Sequence, residues 1–144
     1  VRGARGLARG LALLWALVVG GGPAAAGEAI ERFAAEVAVG ADGVLTVTET
    51  LRVRVEGERI RRGLVRDFPL RHGDGGRASF EVVAVERGGR PEPYTVAREG
   101  GRAAVRIGDP ETLLATPSLQ TYTLTYRTAG QLRRFAGYDE LYWN

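Results

Sequence analysis

The sequence predicts an all-β domain, an antiparallel β-sandwich immunoglobulin-like in architecture, preceded by a helical signal peptide. Three observations predict it. Two segments alternate apolar and polar residues over nine or more positions, Gly-based turns recur at short spacing, and no long amphipathic helix can be written anywhere after residue 26. Side chains on an extended chain point alternately to opposite faces, so strict alternation means one face in a core and one in water.

The first 26 of the 144 residues read as an export signal. Arg2, Arg5 and Arg9 form a positive lead, and Leu11 to Val19 is an apolar run of nine residues. That run is shorter than the roughly 20 residues a membrane-spanning helix requires. Gly20-Gly21-Gly22-Pro23 ends it, and Ala24-Ala25-Ala26 supplies a small-residue cleavage pattern before Gly27. An uncleaved N-terminal anchor is the alternative. The expected domains are therefore 1–26, the signal peptide, and 27–144, an extracytoplasmic β-sandwich.

Charge follows the same division. All 20 basic residues are Arg, three of them before residue 27, where no acidic residue occurs, so residues 27–144 carry 17 Arg against 17 Asp and Glu. The sequence pI near 9.8 thus reflects the export signal, and nucleic-acid binding is not expected. There is no Cys, so packing rather than disulfides must hold an exported domain of this size.

In order along the chain, Phe33 to Val39 alternates and forms a first strand. Gly40-Ala41-Asp42-Gly43 is a turn whose Asp-Gly pair suits positive φ. The strand from Val44 to Val55 returns antiparallel, with Leu45, Val47, Leu51, Val53 and Val55 on one face. Glu49 interrupts that apolar row. A β-bulge, an edge position, or burial with hydrogen-bonded partners would each explain it, and a catalytic carboxylate is the less favoured reading.

Glu56 to Pro69 reads as a charged turn containing Arg59, Arg61 and Arg62. The basic part, Gly57 to Gly63, is either a solvated loop or a patch facing anionic lipid headgroups or cell-wall polymers. Arg66-Asp67, beside Pro69, reads as a structural ion pair or turn lock. His72, in a Gly-rich turn, is expected to be exposed. Ala78 to Glu86 suits a strand covered on both faces or at a sheet centre, and the prolines of Gly88 to Pro93 argue for a loop outside the ladder. Tyr94–Arg98 and Ala103–Ile107 form a hairpin. Leu113–Leu119 is ambiguous between a loop and a helical turn. Gln120–Thr128 is the second clear alternation, with Tyr122, Leu124 and Tyr126 on one face. The closing stretch gathers Phe135, Tyr138, Tyr142 and Trp143, read as a packing plug or, alternatively, as an exposed aromatic platform.

Chemistry is sparse. With two Ser and one His after residue 26, no triad element is visible, and the missing Cys argues against an ordinary zinc site. There is no Lys to complete a phosphate-cradling loop. No cofactor, metal or catalytic residue is expected. Asp139-Glu140 beside aromatics is a combination seen in glycan-active sites, but adjacent residues on an extended chain diverge.

The chain resembles the N-terminal extracytoplasmic domain, of unknown function, of the YciQ-like family of predicted bacterial membrane proteins. The resemblance rests on DGVLTVTE (Asp42–Glu49), RRGLVRDFP (Arg61–Pro69), PYTV (Pro93–Val96), VRIGD (Val105–Asp109), QTYTLTYRT (Gln120–Thr128) and DELYWN (Asp139–Asn144). It implies membrane attachment through segments beyond Asn144, so the chain reads as a fragment on the extracytoplasmic side of the plasma membrane. It carries no catalytic residues over. The expected role is binding to an envelope protein, to a glycan, or to the protein's own membrane portion. The candidate residues are Glu49, Arg66, Asp67, Tyr138, Asp139, Glu140, Tyr142 and Trp143. The alternatives are a glycan-acting enzyme using Glu49 and Glu140, and a secreted soluble module.

Overall fold

The computed structural model describes residues 27–142 except residue 74; the signal-peptide reading of residues 1–26 lies outside the described residues, as does Trp143. Ten strands run in the order β1 (Ala29–Val39), β2 (Leu45–Val55), β3 (Leu64–Pro69), β4 (Glu81–Arg87), β5 (Arg90–Pro91), β6 (Tyr94–Glu99), β7 (Arg102–Ile107), β8 (Ser118–Thr128), β9 (Leu132–Phe135) and β10 (Tyr138–Leu141). Every pairing is antiparallel. A five-stranded sheet, β1-β2-β8-β4-β5, faces a three-stranded sheet, β3-β7-β6, and β9-β10 forms a separate hairpin. The fold is an all-β sandwich, as the alternation predicts.

The two alternating segments, β2 and β8, lie side by side in the middle of the larger sheet, with Leu45 opposite Thr128 and Val55 opposite Ser118. Leu45, Val47, Leu51, Val53, Tyr122, Leu124 and Tyr126 are all buried. They meet Phe68 of β3 and Ala103, Val105 and Ile107 of β7 in one apolar cluster. The outward rows of β2 and β8 bring threonines together across the ladder, and the Thr48 and Thr125 hydroxyls are 3.2 Å apart. The Asp42-Gly43 turn forms as expected. Gly43 takes φ 80°, and the Asp42 carboxylate accepts the amide of Val44.

The structure corrects four expectations. Leu64–Pro69 is a strand rather than part of a turn; it alternates, with Leu64, Arg66 and Phe68 facing inward. A period of two hides when the inward row contains an arginine. A short strand, β5, includes Pro91, paired with Glu86. Proline is tolerated there because β5 is the outermost strand of its sheet. The run Ala78–Glu86 is not covered on both faces. Its register shifts between Val82 and Ala84, so the bulged Val83 turns out to solvent while Val82 and Val85 stay against the core. His72 is half-buried rather than exposed.

The loop between β2 and β3 is held by one side chain. The Glu28 carboxylate accepts backbone N–H groups of Glu56, Glu58, Arg59 and Ile60 at 2.7–3.3 Å. Desolvation works to raise the Glu28 pKa, but these four donors together outweigh it and hold the group below its ordinary 4.5. At the far side of the loop, Gly63 (φ 140°) and Gly108 (φ 120°) flank the Leu64–Ile107 pair. Their backbones approach so closely that a Cβ on Gly63 would lie 1.8 Å from the Ile107 carbonyl oxygen.

Two predictions follow from these contacts. Gly63→Ala is expected to destabilise the domain by about 3 kcal/mol, combining left-handed backbone strain with a collision against main chain. Gly73→Ala, whose added methyl meets open space, is expected to be near neutral, and thermal melts of the two variants make the comparison. Because the folded pKa of Glu28 is depressed, its contribution is fully present above pH 4.5 and is lost as pH falls through the lower folded value. The melting-temperature difference between the parent and Glu28→Gln should therefore be constant from pH 6 to 8 and shrink below pH 4.5. A difference that stays flat into that acid range would contradict the latch.

Candidate functional site: a buried ion pair beneath an aromatic cleft

Glu49 sits on β2, a strand paired on both sides, in unbroken register with Ala35 and Leu124. Neither a bulge nor an edge explains it. Its side chain is 2% exposed, and it is satisfied by the arginine that β3 aims inward across the sandwich. Arg66 Nε donates to Oε2 at 2.8 Å and Nη2 to Oε1 at 2.9 Å, a two-point fork. The Tyr126 hydroxyl of β8 donates to Oε1 at 3.3 Å. The hydrogen bond to Glu49 raises the Arg66 pKa against the opposing effect of burial, and the charge of Glu49 adds to it. Phe33 of β1 and Phe68 of β3 lie 5.6 and 5.2 Å from the guanidinium carbon. Burial with partners is thus the reading of Glu49 that holds.

Arg66 does not pair with Asp67. As successive residues of a strand they face opposite ways, and Asp67 is exposed on the outer side of β3. The expected Arg66-Asp67 lock is therefore replaced by an Arg66-Glu49 bridge between sheets.

Phe68, Phe80 and Tyr126 stack as a triad with centroids 4.5 to 5.1 Å apart. They form the floor of a cleft of about 110 Å³ whose rim carries His72, Gln131 and Tyr142. Four contacts shape that rim. His72 Nε2 is 3.1 Å from the Gly130 carbonyl oxygen. Tyr142 meets the His72 ring edge-on at 5.5 Å, and its amide donates to the Gln131 carbonyl at 2.8 Å. The Arg133 guanidinium lies 5.4 Å above the Tyr142 ring.

Beside the cleft, the β9-β10 hairpin turns at Ala136-Gly137 and stacks Phe135 on Tyr138 at 5.0 Å and 19°. Tyr138 is 63% exposed and Phe135 46%. Phe135, Tyr138 and Tyr142 stand at the surface rather than plugging the core, while the Trp143 part of the packing-plug reading lies outside the described residues. Asp139 and Glu140 are exposed on β10, opposite Arg134 and Arg133. Neither they nor Glu49 lines the cleft. Among the described residues no cluster of His, Cys, Asp and Glu could hold a metal.

Of the sequence-derived candidates, Glu49, Arg66 and Tyr142 thus converge on or beneath the cleft, while Asp67, Asp139 and Glu140 stand apart. Tyr126, Phe33 and His72 were missed. Tyr126 was legible as an inward residue of β8, but its hydroxyl's partner lies 77 positions away, which no local pattern announces.

The family described as "Predicted membrane protein (DUF2207) N-terminal domain" matches residues 29–144, and the chain belongs to it. It is similar to the uncharacterised protein YciQ of Escherichia coli (strain K12), 28% identical over 121 residues. That match covers 81% of this chain but 19% of YciQ. No solved structure matches.

Removing one partner of a buried charge pair leaves the other uncompensated. Arg66→Met is expected to cost about 2–4 kcal/mol, reduced from the fully buried case because Arg66 is partly solvated. The double variant Glu49→Leu/Arg66→Met should recover most of that loss in a chemical-denaturation cycle. No recovery would mean that Glu49 gains nothing from Arg66.

Proposed function

We propose that this domain is a binding module of a membrane-anchored bacterial protein, displayed on the extracytoplasmic side, and that it holds envelope glycan on the aromatic cleft and hairpin rather than catalysing a reaction. The export pattern of residues 1–26 and the membership in a family of predicted membrane proteins support that location.

The observation that carries the binding role is the solvent-facing Phe135-Tyr138 stack on the hairpin whose base leads to Tyr142 at the cleft rim. Large apolar rings left in water mark interaction surfaces. Flat ring faces suit the apolar C–H faces of sugars. The guanidinium and carboxylate on the same face of the hairpin, Arg133 and Glu140, suit hydroxyls. Catalysis finds less support, since Glu49 is committed to Arg66 and Tyr126.

The test is co-sedimentation of the chain with purified peptidoglycan, comparing the parent with Tyr138→Ala and Phe135→Ala. Each substitution should weaken binding about five- to tenfold while leaving the melting temperature within about 2 °C. Unchanged binding by both variants would remove the hairpin from the role. Retention of an envelope protein in place of glycan, sensitive to the same substitutions, would keep the surface and change its occupant.

A further inference from the structure

A second surface lies at the opposite end of β3 from the aromatic cleft. There a groove of about 390 Å³ runs between the 56–63 loop and the outer face of the three-stranded sheet. Its walls carry Arg59, Arg61, Arg62 and Arg106, and its floor carries Val65 and Pro110. Cross-strand register explains the floor: Val65, Arg106 and Thr95 are direct neighbours on β3, β7 and β6, on the face turned away from the core.

None of the four arginines is paired with a carboxylate among the described residues. The acidic residue lining the groove, Asp109, is already engaged by the Glu111 amide at 2.8 Å and the Thr112 hydroxyl at 2.8 Å. These contacts hold its carboxyl below the usual range.

The loop backbone that presents the arginines is fixed at three points. Glu28 holds the amides of Arg59 and Ile60. The Leu114 amide donates to the Arg61 carbonyl at 2.8 Å. Gly63 packs against Gly108. Four guanidinium groups are thereby gathered on a tied loop and a strand, although residues 27–144 as a whole carry no net charge. Four guanidinium groups against the single lining carboxylate, Asp109, leave the groove net positive on a neutral domain, a field that attracts a ligand of the opposite sign.

We propose that this groove is an anion site that seats phosphate headgroups of an acidic bilayer. The guanidinium fork matches phosphate oxygens at two points, and the exposed Val65, 52% accessible, offers an apolar contact beside them. The choice of a lipid surface rests on membership in a family of predicted membrane proteins. The groove is separate from the hairpin, so the glycan reading can fail without affecting it.

The experiment is flotation of the chain with vesicles of 30% phosphatidylglycerol in phosphatidylcholine, against phosphatidylcholine alone, at low and physiological salt. The triple variant Arg59→Gln/Arg61→Gln/Arg62→Gln is compared with Arg32→Gln/Arg90→Gln/Arg102→Gln, which removes the same charge from exposed sites outside the groove. Both retain the same N-terminal segment, so its contribution cancels. Each groove arginine is expected to contribute about fivefold to acidic-vesicle partition at low salt, so the groove variant should lose tenfold or more and the control much less. Circular dichroism melts establish that both are folded. Equal losses in the two variants would reduce the effect to net charge and overturn the site. A groove-dependent affinity for soluble polyphosphate, with no preference for acidic vesicles, would overturn the lipid source.

Discussion

The domain depends on a carboxylate that its sheet cannot otherwise accommodate. Glu49 occupies the inward row of β2 between Val47 and Leu51, where an unpaired charge would be prohibitively costly. The remedy fixes much of the surrounding geometry. An arginine must reach it from the facing sheet, so Arg66 must be an inward residue of β3, and β3 must lie over β2. The guanidinium then needs cover, which Phe33 and Phe68 provide, and Glu49 Oε1, which already accepts Arg66 Nη2, also accepts the Tyr126 hydroxyl. Apolar burial would hold two sheets together in many registers. A two-point fork selects one of them.

The same residues build outward to the surface. Tyr126 bonds Glu49 through its hydroxyl and stacks on Phe68 and Phe80 through its ring, so the floor of the cleft is a direct continuation of the ion pair. The rim has a different origin. It is assembled from His72 and the chain after β8, through ring contacts, the His72 Nε2 contact with the Gly130 carbonyl and one backbone hydrogen bond. A rigid floor with a lightly attached rim is a common construction for recognition sites, since the rigid part sets the shape and the looser part adapts.

The larger sheet was readable in the sequence because β2 and β8 carry unbroken alternation, and burial follows that alternation residue by residue. The Asp42-Gly43 and Gly100-Gly101 turns were readable for a similar reason, since positive φ leaves a compositional trace. β3 was not, because its inward row is Leu, Arg, Phe, and a charge in a core position mimics a loop. The exposed setting of the hairpin aromatics was also hidden. Phe135 and Tyr138 look like core residues by type, and only the register of β9 with β10 shows that they stack on each other above the domain. Glu28 gave no signal at all, because its partners are backbone amides, which have no sequence signature.

The placement of the two surfaces at the ends of β3 sets a length. Leu64 and Pro69 are separated by five strand steps, about 17 Å along the chain. That span is roughly twice the distance over which charge is felt at physiological salt. The arginines of the groove and the rings of the cleft therefore act independently at physiological salt, and a ligand seated on one is not felt as charge at the other.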